Sequence, residues 1–181
     1  MKKLFALALA LVMIVCCFAA CGSNSTSDPE TTTAPAAEST TIAAERFVIE
    51  LGNSGLTLTS DKNYVKGDIS EDDTDENQVA YYRSDDTLVD FDVYEWAKAT
   101  DETLDSAIAD EAEDFDAKAE KTEINGFSVA YYNAAEESEG KEYKTVTYMI
   151  DNGDEFVEVV FWLDGENAQA EVDAIMATLA K

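Results

Sequence analysis

Carboxylates spaced two residues apart are the clearest chemistry-bearing pattern in this chain. Asp73-x-Asp75-x-Asn77 offers side-chain oxygen at alternate positions of an acidic run, residues 71–77. Oxygen ligands at that spacing suit a hard cation such as calcium. An EF-hand loop would continue with glycine and place glutamate at its twelfth position, where this chain has Gln78 and Ser84. The run is therefore not an EF-hand. Asp73, Asp75 and Asn77 are candidates for a weak divalent-cation site, and a solvated loop is the stronger expectation.

A second set lies in the stretch Thr87 to Trp96, where Asp90 and Asp92 share one face of an alternating strand and Glu95 falls on the other. Paired carboxylates can act as general acid and base. A glycosidase needs its second carboxylate across a sugar-sized cleft, and a domain with turns this short has little chain from which to build one. A polar outer sheet face is expected instead. The chain contains no histidine, which removes Ser-His-Asp and Cys-His catalysis, His-ligated zinc and the usual switch near neutral pH. Neither Gly-x-Ser-x-Gly nor a Walker loop occurs. No catalytic residue and no cofactor is expected. Aromatics are the remaining resource. The neighbouring pairs Tyr81-Tyr82 and Tyr131-Tyr132 must each split between sheet faces. If helices cover one face only, Tyr82, Tyr94, Trp96 and Tyr132 could line a groove for a peptide, glycan or apolar ligand. The bland alternative is a second layer of core.

These side chains need elements to hold them. Phe47 to Leu51, Leu56 to Thr59 and a piece within Lys62 to Lys66 read as strands, with Gly52-Asn53-Ser54-Gly55 as a turn. Gln78 to Arg83 and Thr87 to Trp96 read as paired strands, with Val89, Phe91 and Val93 on the buried face. A helix is expected over about Glu102 to Ala117, capped by Thr100 or Asp101, with Leu104, Ile108, Ala112 and Phe115 on its apolar face. Glu120 to Ile124 and Phe127 to Tyr132 form a hairpin across Asn125-Gly126. Ala134 to Gly140 reads as a polar loop. Tyr143 to Ile150 and Glu155 to Leu163 form another hairpin across Asn152-Gly153, and a final helix, Asn167 to Ala180, aligns Val172, Ile175, Met176 and Leu179. Hairpins without alternating helices predict an α+β fold: a mainly antiparallel sheet packed with two amphipathic helices.

The first residues address the protein. Lys2 and Lys3 precede an uncharged apolar run, Leu4 to Ala20, ending Phe18-Ala19-Ala20-Cys21-Gly22. This is the layout of a secretory signal with a small-residue cleavage site. With cysteine directly after the site it resembles a bacterial lipoprotein signal, a lipobox, although Phe18 stands where Leu, Val or Ile is usual. That resemblance implies cleavage before Cys21, acylation of its thiol by palmitate or a similar chain, and a membrane anchor on the extracytoplasmic face of a Gram-positive-type cell. Residues 1–20 are then signal peptide, 21–45 the lipidated cysteine and a Ser/Thr/Ala/Pro tether, and 46–181 one domain. Cys16 and Cys17 leave with the signal, so no disulfide is available. The formal net charge of −27 disfavours nucleic acid and attracts cations or basic partners.

The order of elements adds a second resemblance. VDFDVYEWAKATDETLDSAIADEAEDF, EINGFSVAYYN, a Tyr-rich hairpin and EVDAIMATLA are together similar to the PsbP-like α/β sandwich, over about Arg46 to Lys181. Domains of that type recur in small bacterial lipoproteins. The resemblance implies a non-enzymatic module that binds a ligand or another envelope protein. It rests on element order and the Ile124-Asn125-Gly126-Phe127 turn, not on a catalytic signature. The best-known member type assists a manganese–calcium centre in photosynthesis, and no residue here carries that role over. Two competing expectations are a carboxylate-dependent envelope hydrolase and a weak divalent-cation-binding surface protein.

Overall fold

The computed structural model describes residues 45–69, 76–138 and 140–181. Cys21, the tether up to residue 44, and Asp73 and Asp75 lie outside the described residues. Period-2 alternation organises everything else. Strands β1 (Phe47–Leu51) and β2 (Leu56–Ser60) pair as a hairpin of their own. A seven-stranded sheet comprises β3 (Val65–Lys66), β4 (Gln78–Arg83), β5 (Val89–Ala97), β6 (Glu120–Ile124), β7 (Phe127–Ser138), β8 (Lys141–Asp151) and β9 (Glu155–Leu163). Their spatial order is β3-β4-β5-β9-β8-β7-β6, and every pairing is antiparallel. Asn125 and Gly126 both take positive φ, 51° and 88°. That is the left-handed geometry a two-residue hairpin turn requires and the reason Asn-Gly marks one.

The two helices cover opposite faces. Helix α2 (Ala168–Met176) and the β1–β2 hairpin bury one face, where Val89, Phe91 and Val93 of β5 meet Val157, Val159 and Phe161 of β9. Val172, Ile175, Met176 and Leu179 all enter this cluster. Helix α1 (Leu104–Asp114) buries Ala130, Met149 and Phe156 on the other face through Leu104, Ala107, Ile108 and Ala112. Burying each large side chain contributes about 1.5–3 kcal/mol, so two clusters hold the sheet from both sides. This is the antiparallel α+β sandwich that the hairpin signals imply.

Three local expectations are corrected. The cap of α1 is Thr103, not Thr100 or Asp101: its hydroxyl accepts the Ser106 N–H at 3.2 Å, while the Ser106 hydroxyl accepts the Thr103 N–H at 3.0 Å. A serine closes this capping box in place of the usual Glu or Gln. Ala134 to Gly140 is not a loop; β7 runs to Ser138 and pairs with β8 down to Ser138 opposite Lys141. The β7–β8 hairpin extends beyond the end of β9, which stops opposite Lys144. Polar residues are tolerated there, and ladder pairing overrides their poor strand propensity. Finally, α2 ends at Met176. The chain then unwinds so that Ala180 bridges Thr57 with hydrogen bonds of 2.8 and 3.0 Å.

Candidate functional site

On the α1 side, cross-strand register lays the side chains in rows. Asp92 of β5 stands beside Val160 of β9, then Thr147 of β8, then Tyr132 of β7. The row above reads Asp90, Trp162, Thr145, Ala134, and the row below Tyr94, Glu158, Met149, Ala130. The centre therefore holds small residues, Val160, Thr145 and Thr147, ringed by large aromatics. Helix α1 covers the row of Ala130 and Met149 and, at the β7 edge, reaches Tyr132 of the next row. Beyond it the sheet is hollowed into adjoining depressions.

One depression, about 270 Å³, is lined by Tyr81, Asp90, Asp92, Tyr143 and Trp162. A second, about 190 Å³, lies between Tyr94, Trp96, Tyr132 and Trp162, with Phe115 of the α1 terminus on its rim. A third, about 310 Å³, flanks α1 and shares Trp96. Trp96 and Trp162 thus divide one continuous aromatic face. Tyr94 stacks on Trp96 at 6.3 Å, Phe115 on Tyr132 at 5.8 Å, and Tyr143 meets Trp162 edge-on at 6.0 Å. A larger hollow of about 500 Å³, between the β6–β7 hairpin and α2, lies on the other side.

The acids on this face are held, not scattered. Asp92 is buried, and its two oxygens accept from Trp162 Nε1 and Gln78 Nε2, each at 2.7 Å. Burial pushes its carboxyl up, those two donors pull it back, and the Asp90 and Glu136 charges push it further up. Asp90 is also raised by burial, against the Ser84 N–H and the Arg83 charge. Glu136 is raised by burial. Tyr132 is pushed up to about 12, by burial first and then by the charges of Glu158, Glu111 and Glu136. The hydroxyls of Thr145 and Thr147 are buried and make no well-formed hydrogen bond. Thr147 approaches Tyr132, and Thr145 approaches Glu136, closely enough to hold their pKa values down a little.

The structure therefore gathers Tyr94, Trp96 and Tyr132 of the expected groove but not Tyr82. Strand alternation puts Tyr82 on the opposite face, where it stacks on Phe91 at 5.0 Å and donates to the Glu50 carbonyl at 2.6 Å. Asp90 and Asp92 do share a depression. Glu95, on the other face, accepts the Asn53 N–H and ties down the β1–β2 turn. The Asn77 carbonyl accepts the Glu95 N–H at 3.0 Å. Among the described residues no three acidic side chains converge on a metal-sized point. Sequence reasoning missed Glu136, Thr147 and Glu158. The signal for Glu158 was present as a lone acid within the apolar run of β9, EFVEVVFWL, facing away from Val157 and Val159.

No family model and no curated protein matches the chain. Solved structures do. Cyanobacterial PsbP (CyanoP) from Synechocystis sp. PCC 6803 aligns with a TM-score of 0.57 at 9% identity, over 76% of this chain and 92% of that one. A protein from Bacteroides thetaiotaomicron VPI-5482 aligns with a TM-score of 0.54 at 16% identity, over 76% of this chain. This chain spans about half of that protein, 48% of its length. At such identities the likeness concerns the fold, which is a PsbP-like α/β sandwich.

Proposed function

We propose that this chain is a lipid-anchored, extracytoplasmic binding or accessory module that engages a ligand or an envelope protein through the α1-side face and does no covalent chemistry. The observation that carries this reading is that face. Adjoining aromatic hollows open beside α1, and the buried carboxylate beneath them, Asp92, has both oxygens committed to donors. A carboxylate held in that way orients the Trp162 indole and the Gln78 amide. The PsbP-like neighbours support the scaffold, and the small residues before Cys21 support the anchor.

Two measurements test the reading. Fatty-acid labelling of cells making the full chain should mark the protein, and Cys21→Ser should abolish the label and shed or retain the precursor; persistent labelling in the variant would remove the anchor from the proposal. Hydrogen exchange of the 45–181 domain, alone and with envelope extract from the producing cells, should show added protection in β5, β8 and the last turn of α1. Protection confined to the α2 side would place the binding surface elsewhere. A second reading, a carboxylate-dependent hydrolase, draws on Asp90 beside Asp92, both raised by burial. Release of soluble sugar from cell-wall polymer by the pure domain, lost in Asp90→Asn, would favour it.

A further inference from the structure

We infer that the hollow between Tyr94, Trp96, Tyr132 and Trp162 is a recognition pocket for an alkylammonium group, carried by a free amine or by a lysine side chain. This deepens the binding-module reading and rests on it.

Four features point to that chemistry. The wall combines aromatic rings with three carboxylates, Glu111, Glu136 and Glu158, and has no basic side chain. Aromatic faces and carboxylates together select an organic cation. The last turn of α1, which forms one wall, contains no basic residue and carries Glu111, Glu113 and Asp114. Acids at a helix C-terminus oppose the helix dipole, and a bound cation would relieve both. Thr147 is 1% exposed and lines the hollow, and its hydroxyl, although close to Tyr132, makes no well-formed hydrogen bond among the described residues. Such a group costs stability unless a partner arrives, and an ammonium N–H is a donor for it. Lastly, the domain already seats its own ammonium groups on rings of this face. Lys141 Nζ lies 4.4 Å from the Tyr143 ring centre, and Lys98 Nζ lies 4.5 Å from that of Phe156.

Size and geometry narrow the ligand. At about 190 Å³ the hollow is below the ~300 Å³ of a drug-sized site, so it fits a head group. No three acidic side chains converge as metal ligands among the described residues, which disfavours a bare divalent ion.

Both tryptophans of the chain, Trp96 and Trp162, line this hollow, so intrinsic fluorescence reads it directly. The test titrates the 45–181 domain with n-butylammonium chloride, with a blocked Gly-Lys-Gly peptide, with 1-butanol as the neutral isostere, and with sodium chloride at matched ionic strength. A saturable change is expected with the ammonium or the lysine peptide, and the tighter of the two names the source. Thr147→Val should raise the melting temperature by removing a poorly bonded buried hydroxyl, yet weaken binding roughly tenfold or more. Glu136→Gln should weaken it several-fold without unfolding the domain. An equal response to butanol or to salt overturns the inference. So does a Thr147→Val variant that gains stability and keeps full affinity, since a purely structural threonine would behave that way. Envelope-induced protection of this face with no ammonium response would overturn the ligand assignment and leave the binding-module reading standing.

Discussion

Trp162 shows how one side chain joins stability to the site. Its indole N–H donates to buried Asp92 while its ring divides two hollows. Trp162→Phe keeps most of the ring and removes the donor, so a buried charge loses one of two partners. A hydrogen bond to a charged group contributes about 1.5–3 kcal/mol, and a loss of that order is expected at pH 7 in denaturant unfolding. The sign of its pH dependence follows. The folded Asp92 pKa is already raised by burial, and losing a donor raises it further. Protonation then relieves the unpaired charge, so the deficit against the parent should shrink as pH falls from 7 toward 4. A deficit that is constant across that range would mean the loss is packing alone. At this scale the sequence was partly legible. Alternation placed Asp90 with Asp92 and opposed them to Phe91, but Tyr82 was grouped with Tyr94 because its strand register was not visible in its own segment.

Elements were more legible than their ends. Hydrophobic period and the Asn-Gly turns located both helices and the β6–β7 and β8–β9 hairpins, because those signals are local. Where α1 begins was decided by a reciprocal pair, Thr103 and Ser106, that two earlier candidates obscured. Thr103→Ala should therefore destabilise the domain by about 1 kcal/mol, whereas Thr100→Ala should change its urea midpoint little. Equal effects would show that the cap is not where the geometry puts it. The end of α2 was illegible for a different reason. Leu179 keeps its apolar period but sits past the helix, held because Thr178 and Ala180 bond to β2 and because Asn125 Nδ2 donates to the Ala177 and Leu179 carbonyls at 2.9 and 3.0 Å. These long-range contacts have no local sequence signal. Leu179 is fully buried, so Leu179→Ala should cost about 2–5 kcal/mol, seen as a lower cooperative midpoint. An unchanged midpoint would show that the terminal segment does not close the core.

For the whole molecule the governing quantity is charge. A formal −27, more negative still without Lys2 and Lys3, makes the compact state repel itself at neutral pH. Burial of three carboxyls gives this a direction. Asp90, Asp92 and Glu136 are all raised, each by burial first, so the folded form binds protons that the unfolded form releases. Stability from these groups is present at low pH and lost as pH rises through their folded pKa values. Asp151 opposes them. Burial pushes it up, but the Lys98 hydrogen bond and charge, with the Gly153 N–H, hold it below its usual value. Its contribution is present above the unfolded value near 4 and is lost only as pH falls below that. The melting temperature of the 45–181 domain should therefore rise from pH 7 toward about 5 and turn down again below about 4. At pH 7 added sodium chloride should raise it by screening, and the salt effect should shrink at pH 5, where fewer carboxylates remain ionised. Calcium should do no more than monovalent salt of equal ionic strength. A saturable calcium response lost in Asp73→Asn/Asp75→Asn would instead assign the acidic run 71–77 a site, and a melting temperature that falls between pH 7 and 5 would refute the repulsion argument.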